Sequence, residues 1–195
     1  MASVSYYAKL KGKLCFLSPV DPKDYLQFVS WVNDLESSLG MIFLSSIIGE
    51  EKEREVMERL SQGINFAIVD LLTGKPIGSC GIPSIDDRNR HCQVGIFIGD
   101  GSFRGKGYGT EALGLLCEFA FSMLNMHSVS LRVYSYNKPA IRCYEKVGFK
   151  HAGRLRHAKR IGGAWHDELL MDITEDEYCF GQVREAVEAR QALDI

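Results

Sequence analysis

The chain of 195 residues contains no uninterrupted apolar run of about 18 residues, which is the length that a membrane-spanning helix requires. Residues 1–13 also lack the apolar core and small-residue cleavage site of a secretory signal, so we expect a cytoplasmic protein with no membrane partner. No internal repeat and no Pro- or Ser-rich linker occurs, which favours one domain. Neither sign of charge dominates: 23 Lys and Arg against 25 Asp and Glu give a net charge of -2, which disfavours a general nucleic-acid binder.

Motifs for metal binding and redox chemistry are absent too. The six cysteines lie far apart with no C-x-x-C pair, and their apolar neighbours favour buried, reduced thiols. The five histidines lack the spacing of metal ligands such as H-E-x-x-H, so we expect no catalytic metal. What the sequence does have is 46% hydrophobic and 25% charged residues, the average of a folded globular protein.

The hydrophobic pattern alternates between the period of strands and that of helices along the chain. It predicts an antiparallel meander followed by strand and helix units, which is an α+β arrangement. We assign residues 13–173 to this domain and residues 174–195 to a C-terminal helical extension that begins at a capping-box sequence. The predicted strands are 13–18, 64–69, 76–82, 92–98, 129–134, 152–159 and 165–173, and the predicted helices start at Asp21-Pro22, cover 50–62 and 108–124, and follow Asn137.

A cluster of alternate glycines, Phe103-Arg104-Gly105-Lys106-Gly107-Tyr108-Gly109-Thr110, lies between a predicted strand and the long helix. Glycine permits positive φ and close approach of a ligand, and the free N–H groups of a helix start attract an anion. The cluster therefore predicts a phosphate or pyrophosphate site, with a flexible turn as the alternative. A Walker A loop is disfavoured because Asp100 stands six residues before Lys106, and the dinucleotide fingerprint fails because the glycines are two apart.

Two motifs in order identify a family resemblance. Arg104–Gly109 matches R/Q-x-x-G-x-G/A, and Asn137–Phe149 matches N-x-x-A-x-x-x-Y-x-x-x-G-F. Over about Lys13 to Asp172 the chain thus resembles the GNAT N-acetyltransferase superfamily, and is nearest in pattern to the branch of ribosomal-protein N-terminal and spermidine N-acetyltransferases. The resemblance implies a mixed, mostly antiparallel sheet of six to seven strands with helices on both faces. It also implies acetyl transfer from acetyl-CoA to a primary amine.

The resemblance assigns cofactor contacts to individual residues. It implies that the pantetheine arm pairs with the backbone of Gly95 to Ile98, with an N–H near Phe97 or Ile98 placed to stabilise the oxyanion. Asn137 and Lys146 are weaker candidates, since helix capping explains the first and a solvated helix face the second. The implied contacts are Ile96, Phe97 and Ile98 on the strand, Arg104, Gly105, Lys106, Gly107, Tyr108, Gly109 and Thr110 in the loop, and Asn137 and Lys146.

Tyr144 is the implied general acid, because a phenol with a pKa of about 10 keeps its proton at neutral pH and can donate it to a departing thiolate. A core tyrosine packed beside Phe149 is the alternative. We expect direct attack with no acyl-enzyme, because the adjacent Cys143 points about 100° away on a helix and should not share the face of the cleft.

The general base is left open by the sequence. Gln93 stands where some relatives carry a glutamate, and an amide cannot accept the proton. The remaining options are another carboxylate, a histidine or a chain of water molecules. The side chains considered are Asp86, Asp87, Glu168, His91 and His166.

Charged segments give two further hypotheses. Acidic residues at Asp34, Glu36, Asp86 and Asp87 are placed to attract a cationic amine, although charged loops are commonly just solvated. A basic strand is placed either to bind the adenosine phosphate or an acidic acceptor, or to protect a sheet edge from aggregation. Its residues are Arg154, Arg156, His157, Lys159 and Arg160.

Two functions of different classes follow from these observations. The first is an enzyme whose partners are acetyl-CoA and a small-molecule amine or a peptide N-terminus. The second is a non-catalytic acyl-CoA sensor, which would keep the glycine loop and need no Tyr144. A homodimer through the C-terminal helix is a hypothesis that rests on its apolar residues Val183, Ala186, Val187 and Leu193.

Overall fold

The computed structural model describes residues 6–41, 44–179 and 181–192. Eight strands form one mixed sheet in the order β1-β2-β3-β4-β5-β6-β8-β7. This confirms the predicted α+β fold, with one strand beyond the predicted six to seven because a two-residue strand pairs with β2 at the edge. The strands are β1 (Leu10–Lys11), β2 (Cys15–Pro19), β3 (Asn65–Asp70), β4 (Pro76–Asp86), β5 (His91–Ile98), β6 (Ser128–Tyr134), β7 (Lys150–Ile161) and β8 (Ala164–Thr174).

Helices cover both faces of the sheet, as predicted. Asp21 caps the first of them through the Lys23 N–H at 2.9 Å, but its first turn, Pro22–Asp24, is a 3-10 helix. The segment around Asp34, predicted as a loop, contains a short helix because the Asp34 carboxylate accepts from the Ser37 N–H at 2.7 Å. The α-helices are α1 (Tyr25–Val32), α2 (Leu35–Ser38), α3 (Glu50–Gln62), α4 (Tyr108–Ser122), α5 (Lys138–Val147) and α6 (Gln182–Gln191).

The core has two parts, one on each face. The larger part packs α4 and α5 against the sheet, and the smaller packs α1 and α3 on the opposite face. Burial of each large apolar side chain contributes about 1.5–3 kcal/mol, and the alternation of strand side chains supplies both parts from the same strands. Fully buried examples are Met57, Ile68, Ile77, Leu113, Leu116 and Met171.

Pairing between β5 and β6 is parallel and short. Only His91, Cys92 and Gln93 pair with β6, at Ser128, Val129 and Ser130, and beyond them the two strands separate. On its other side, β5 remains antiparallel to β4 as far as Ile98. A gap therefore opens between the last residues of β5 and β6, within an otherwise continuous sheet.

The start of α4 is anchored by two acidic groups, the half-buried Glu111 and the buried Asp70. Glu111 accepts from the backbone N–H groups of Lys13, Leu14 and Cys15 at 2.7, 2.8 and 2.8 Å. Burial opposes ionisation of Glu111, but these hydrogen bonds outweigh it and lower the pKa of the carboxyl. Asp70 accepts from the Tyr108 hydroxyl at 2.7 Å. Both contacts fix the first turn of α4, and with it the end of the glycine cluster.

The capping box at Thr174 is present, but it caps the 3-10 turn Glu175–Glu177, while the α-helix begins only at Gln182. Glu118 of α4 accepts from the Gly181 and Val183 N–H groups at 2.9 and 3.1 Å, which holds this extension on the domain. The predicted apolar residue Leu193 lies outside the described residues.

The cysteines are all free thiols. Cys15, Cys80, Cys92 and Cys117 are buried as predicted, whereas Cys143 is half-buried and Cys179 is exposed, so the expectation of burial was wrong for Cys179. In the ranges that the structure describes, no helix has both the length and the apolar character needed to span a bilayer.

Candidate active site

A cavity of about 640 Å³ occupies the gap between β5 and β6. It extends from the glycine cluster to the segment that follows α2, and α5 forms one wall. Most of the residues predicted for the site line it: Ile96, Phe97, Ile98, Arg104, Gly105, Gly107, Gly109, Thr110, Asn137, Tyr144 and Lys146.

Beyond Gln93, one edge of β5 faces this cavity and pairs with no other strand of the described chain. The Gly99 N–H donates to the Ile77 carbonyl at 2.9 Å, so the backbone groups of Gly99 and, two residues earlier, Phe97 point toward β4. By the alternation of an antiparallel pair, the backbone groups of Ile96 and Ile98 point the other way. Of the two N–H groups predicted for the oxyanion, the one on Ile98 therefore faces the gap, and the one on Phe97 faces β4.

The glycine cluster folds as a turn that no other residue adopts easily. Gly105 and Gly107 have φ values of 71° and 94°, in the left-handed region, and Gly107 is the N-cap of α4 with no side-chain cap. The first N–H groups of α4 thus lack intrahelical partners and carry partial positive charge. These features fit the diphosphate of a nucleotide cofactor such as coenzyme A.

Three loop side chains do not contact this cavity in the expected way. Lys106 is exposed and Tyr108 is turned to Asp70, so neither lines the cavity, and only their backbones belong to the loop. The Arg104 guanidinium is turned inward, where it donates to the carbonyls of Ile98 and Gly99. Sequence reasoning assigned Arg104 to the phosphate loop and gave no sign of these internal hydrogen bonds.

Tyr144 lies on α5 between the core and the cavity. It is 8% exposed, and its ring lies 6.4 Å from that of Phe149, so the packing role considered from the sequence is real. It also lines the cavity, and no residue in the described ranges forms a hydrogen bond with its hydroxyl. Burial, with a smaller effect of Cys143, raises the pKa of this phenol, which keeps it protonated.

Cys143 lines the same cavity as Tyr144, which corrects the expectation that they would not share the cleft. The reason is that the cavity follows α5 toward α4, so that adjacent residues meet it at different places. The Thr110 hydroxyl lies 3.4 Å from the Cys143 sulfur, near the glycine cluster. Burial raises the pKa of the Cys143 thiol, which disfavours the thiolate needed for nucleophilic attack.

None of the side chains considered as a general base lines the cavity. Asp86 pairs with His91 at the far end of β5, about 23 Å from Ile98 at roughly 3.3 Å per residue. Glu168 forms an ion pair at 3.1 Å with Arg132, and Arg132 lines the cavity. The side chains that do not reach the cavity are those of Asp86, Asp87, His91, Gln93, His166 and Glu168.

Acidic and basic residues around the cavity are distributed unevenly. Among the described residues that line it, Glu36 of α2 carries the one carboxylate, so this part of the predicted acidic entrance is present, and Asp86 and Asp87 are not part of it. The basic residues of β7 do not line the cavity either; Arg154 is paired with Asp167 at 3.4 Å instead. No cluster of three or more potential metal ligands occurs in the described part of the chain.

Sequence reasoning missed several of the residues that line the cavity, and Arg142 and Tyr136 are two of them. Arg142 lies one turn before Lys146 on α5, so both cations face the cavity. The spacing of four residues within the second motif was the available signal. The Tyr136 hydroxyl donates to the Leu39 carbonyl at 2.6 Å, and nothing in the local sequence indicated this contact.

Comparison with known proteins agrees with this geometry. The p20 protein of Bacillus licheniformis, an uncharacterized N-acetyltransferase, is 29% identical over 60% of this chain and 65% of its own length. The probable N-acetyltransferase YjcK of Bacillus subtilis is 29% identical over 84% of this chain and 96% of its own. The match to p20 thus spans slightly less than two thirds of that relative. Proteins named spermidine N(1)-acetyltransferase and putative ribosomal N-acetyltransferase also match, which confirms the predicted branch.

The fold is also found among solved structures. Spermidine N-acetyltransferase from Vibrio cholerae, solved in complex with CoA and spermine, superposes with a TM-score of 0.75 over 86% of this chain and 99% of that chain, at 20% identity. The acetyltransferase (GNAT) domain family matches residues 15–150, which include the glycine cluster, the unpaired edge of β5 and Tyr144. The chain therefore belongs to the GNAT acetyltransferase domain family.

Proposed function

We propose that this protein transfers an acetyl group from acetyl-CoA to a primary amine, by direct attack while both are bound. The observation that supports this proposal is one cavity lined by the glycine turn at the start of α4, by the edge of β5 that has separated from β6, and by Tyr144. A pure binding module would have no need of a buried phenol whose hydroxyl has no partner in the described chain.

Binding of the cofactor falls to the backbone rather than to side chains. The N–H groups from Gly105 to Thr110 hold the diphosphate, and Arg142 and Lys146 on α5 supply positive charge nearby. The backbone N–H and carbonyl of Ile96 would pair with amides of the pantetheine arm in the gap beside β5. When bound, acetyl-CoA supplies the activated thioester.

Tyr144 and the Ile98 N–H have different roles at the reacting centre. The Ile98 N–H stabilises negative charge that develops on the acyl oxygen. The Tyr144 hydroxyl holds its proton through the neutral pH range and donates it to the departing sulfur. Cys143 remains a protonated thiol and takes no part in the chemistry.

Glu36 favours an acceptor that carries positive charge. Its carboxylate is the one acidic group among the described residues that line the cavity, so a protonated amine is attracted toward it, and this part of the cavity is the acceptor end. Release of the ammonium proton proceeds through water, because none of the side chains considered as a general base is among the described residues that line the cavity. The named relatives support amines of the polyamine class, and a peptide N-terminus fits the same chemistry. The homodimer and the cytoplasmic location stay predictions.

The proposed function is tested by thiol release from acetyl-CoA, followed with a chromogenic thiol reagent. The panel of acceptors contains spermidine, spermine, aminoglycosides, amino acids and peptides with free N-termini, with an amine-free reaction as the control for hydrolysis. Turnover with one class of amine is the expected result and names the acceptor. No turnover with any amine, together with calorimetric binding of acetyl-CoA, would overturn the enzyme in favour of a sensor.

A further inference from the structure

Arg104 forms more hydrogen bonds than its place in a phosphate loop requires. Its Nε donates to the Ile98 carbonyl at 3.1 Å, and its Nη2 lies 2.8 Å from the same oxygen, 3.1 Å from the Gly99 carbonyl and 2.7 Å from the Ser37 Oγ. The first acceptor is the last residue of β5, the second is the residue that follows it, and the third is Ser37 of α2, which is 67 residues from Arg104 in the sequence. One guanidinium therefore joins the glycine loop, the cofactor strand and α2.

Ser37 passes this connection to the cap of α2. Its Oγ lies 2.6 Å from the Asp34 carboxylate, which also accepts the Ser37 N–H at 2.7 Å. A hydroxyl has one hydrogen to donate, and Asp34 as a charged acceptor takes it, so that the Ser37 oxygen is free to accept from Arg104. These bonds form a continuous series from the Asp34 carboxylate through Ser37 to the Arg104 guanidinium.

The segment that this series holds borders the acceptor end of the cavity. Glu36, Ser37 and residues 39–41 all line that end. A helix of four residues does not hold its position by its own hydrogen bonds, so α2 depends on outside contacts. Arg104 supplies one at its start, and the Tyr136 hydroxyl supplies another at the Leu39 carbonyl, 2.6 Å away.

We propose that Arg104 is a positioning residue that couples the cofactor site to the acceptor site. Through Ser37, Arg104 fixes the position of α2 and of the part of the cavity wall that α2 forms. That position therefore depends on the conformation of the glycine loop. This inference rests on the proposed function. Its physical basis is that any shift of the loop on binding moves the guanidinium, and the guanidinium moves Ser37. Lysine cannot replace it, because an ammonium lacks the planar fork that reaches carbonyls and a hydroxyl together.

The test is hydrogen-exchange mass spectrometry of the backbone amides of residues 34–41, with and without saturating CoA. In the wild-type protein, we expect CoA to slow exchange in this segment at least threefold. Ser37→Ala cuts the series at α2 without touching the loop, and it should bind CoA within threefold of wild type and lose the slowing. Ser37→Thr keeps the hydroxyl and should therefore keep the slowing of exchange. If Ser37 acted by packing alone, the slowing would not depend on the presence of a hydroxyl. Arg104→Lys should lose it as Ser37→Ala does.

The outcomes separate the two proposals. If calorimetry shows CoA binding and residues 34–41 respond equally in wild type and Ser37→Ala, the coupling through Arg104 is refuted while the proposed function stands. If CoA does not bind to the folded wild-type protein, the proposed function fails and this inference fails with it. If Ser37→Ala loses its cooperative melting transition, the comparison of Arg104→Lys with wild type takes its place, and equal slowing of exchange in residues 34–41 by CoA in these two proteins refutes the coupling.

Discussion

Replacement of Tyr144 by phenylalanine tests the assigned chemistry most directly, because it removes one oxygen and keeps the packed ring. A general acid contributes typically about 10²–10⁴-fold to the rate, which is about 2.7–5.4 kcal/mol of the barrier at roughly 1.36 kcal/mol per decade. The hydroxyl bonds to no described residue, so its loss leaves no buried group without a partner. We therefore expect kcat to fall by that factor, with a change of less than about 0.5 kcal/mol in the free energy of unfolding.

Tyr178→Phe is the matched control. The Tyr178 hydroxyl donates to the Gly114 carbonyl at 3.0 Å and lies 3.3 Å from the Glu118 carboxylate, outside the cavity lining. Its removal deletes these hydrogen bonds, although Glu118 keeps the Gly181 and Val183 N–H groups as donors, and we expect a loss of about 0.5–1.5 kcal/mol of stability. The two variants should thus show opposite behaviour, one losing turnover and the other losing stability.

The assay is thiol release at saturating amine, with calorimetric CoA affinity and thermal melting as companion measurements. Burial raises the pKa of Tyr144 above its ordinary value near 10, so the phenol stays protonated and should cause no loss of activity between pH 7 and 9. A folded pKa above the unfolded one also means that any stability linked to this group is present below pH 10 and is lost only above it. Wild-type kcat in Tyr144→Phe would refute the assignment.

Four other substitutions give independent checks. Gly107→Ala places a side chain at φ 94°, so it should lower the free energy of unfolding by about 1–2 kcal/mol and weaken CoA binding in calorimetry. At Gly114 an added Cβ meets no atom within 4 Å, so the control Gly114→Ala should stabilise α4 by up to about 1 kcal/mol. Glu111→Gln should destabilise the protein by about 1–3 kcal/mol in denaturant melts at pH 7. Because the pKa of Glu111 is lowered in the folded state, that difference should shrink as pH falls below about 4.5, and a constant difference would contradict the argument. Cys143→Ala should keep kcat, and mass spectrometry of the wild type should find no acetylated cysteine.

Local patterns in the sequence predicted the parts of the site that depend on adjacent residues. The glycine spacing predicted the turn at Gly105 and Gly107, and the second motif predicted that Tyr144 lies on a helix capped by Asn137, whose side chain accepts from the Ala140 N–H at 3.3 Å. Each of these depends on φ preference, capping or helical period, which act within a few residues.

Contacts between distant segments could not be predicted in this way. The pairing of Arg104 with Ser37 and of Tyr136 with Leu39 spans 67 and 97 residues, and depends on how α2 packs against the sheet. Likewise the sequence does not indicate where β5 and β6 separate, because β5 continues past Gln93 and β6 continues past its partner Ser130 with strand-like patterns. For the same reason the acidic loops at Asp34 and Asp86 looked equivalent, although only the first lies near the cavity.

The short seam between β5 and β6 has a mechanical consequence. In the described chain, three residue pairs are the only sheet pairing between strands β1–β5 and strands β6–β8. The sheet therefore consists of two parts that are joined at one end of β5. His91 lies at that end, with its ring nitrogens 2.9 and 3.2 Å from the hydroxyls of Ser128 and Ser130. Helix α4 packs across both parts of the sheet and thereby sets the angle between them. The width of the cleft is therefore governed by the volume of the side chains beneath α4, far from any reacting atom.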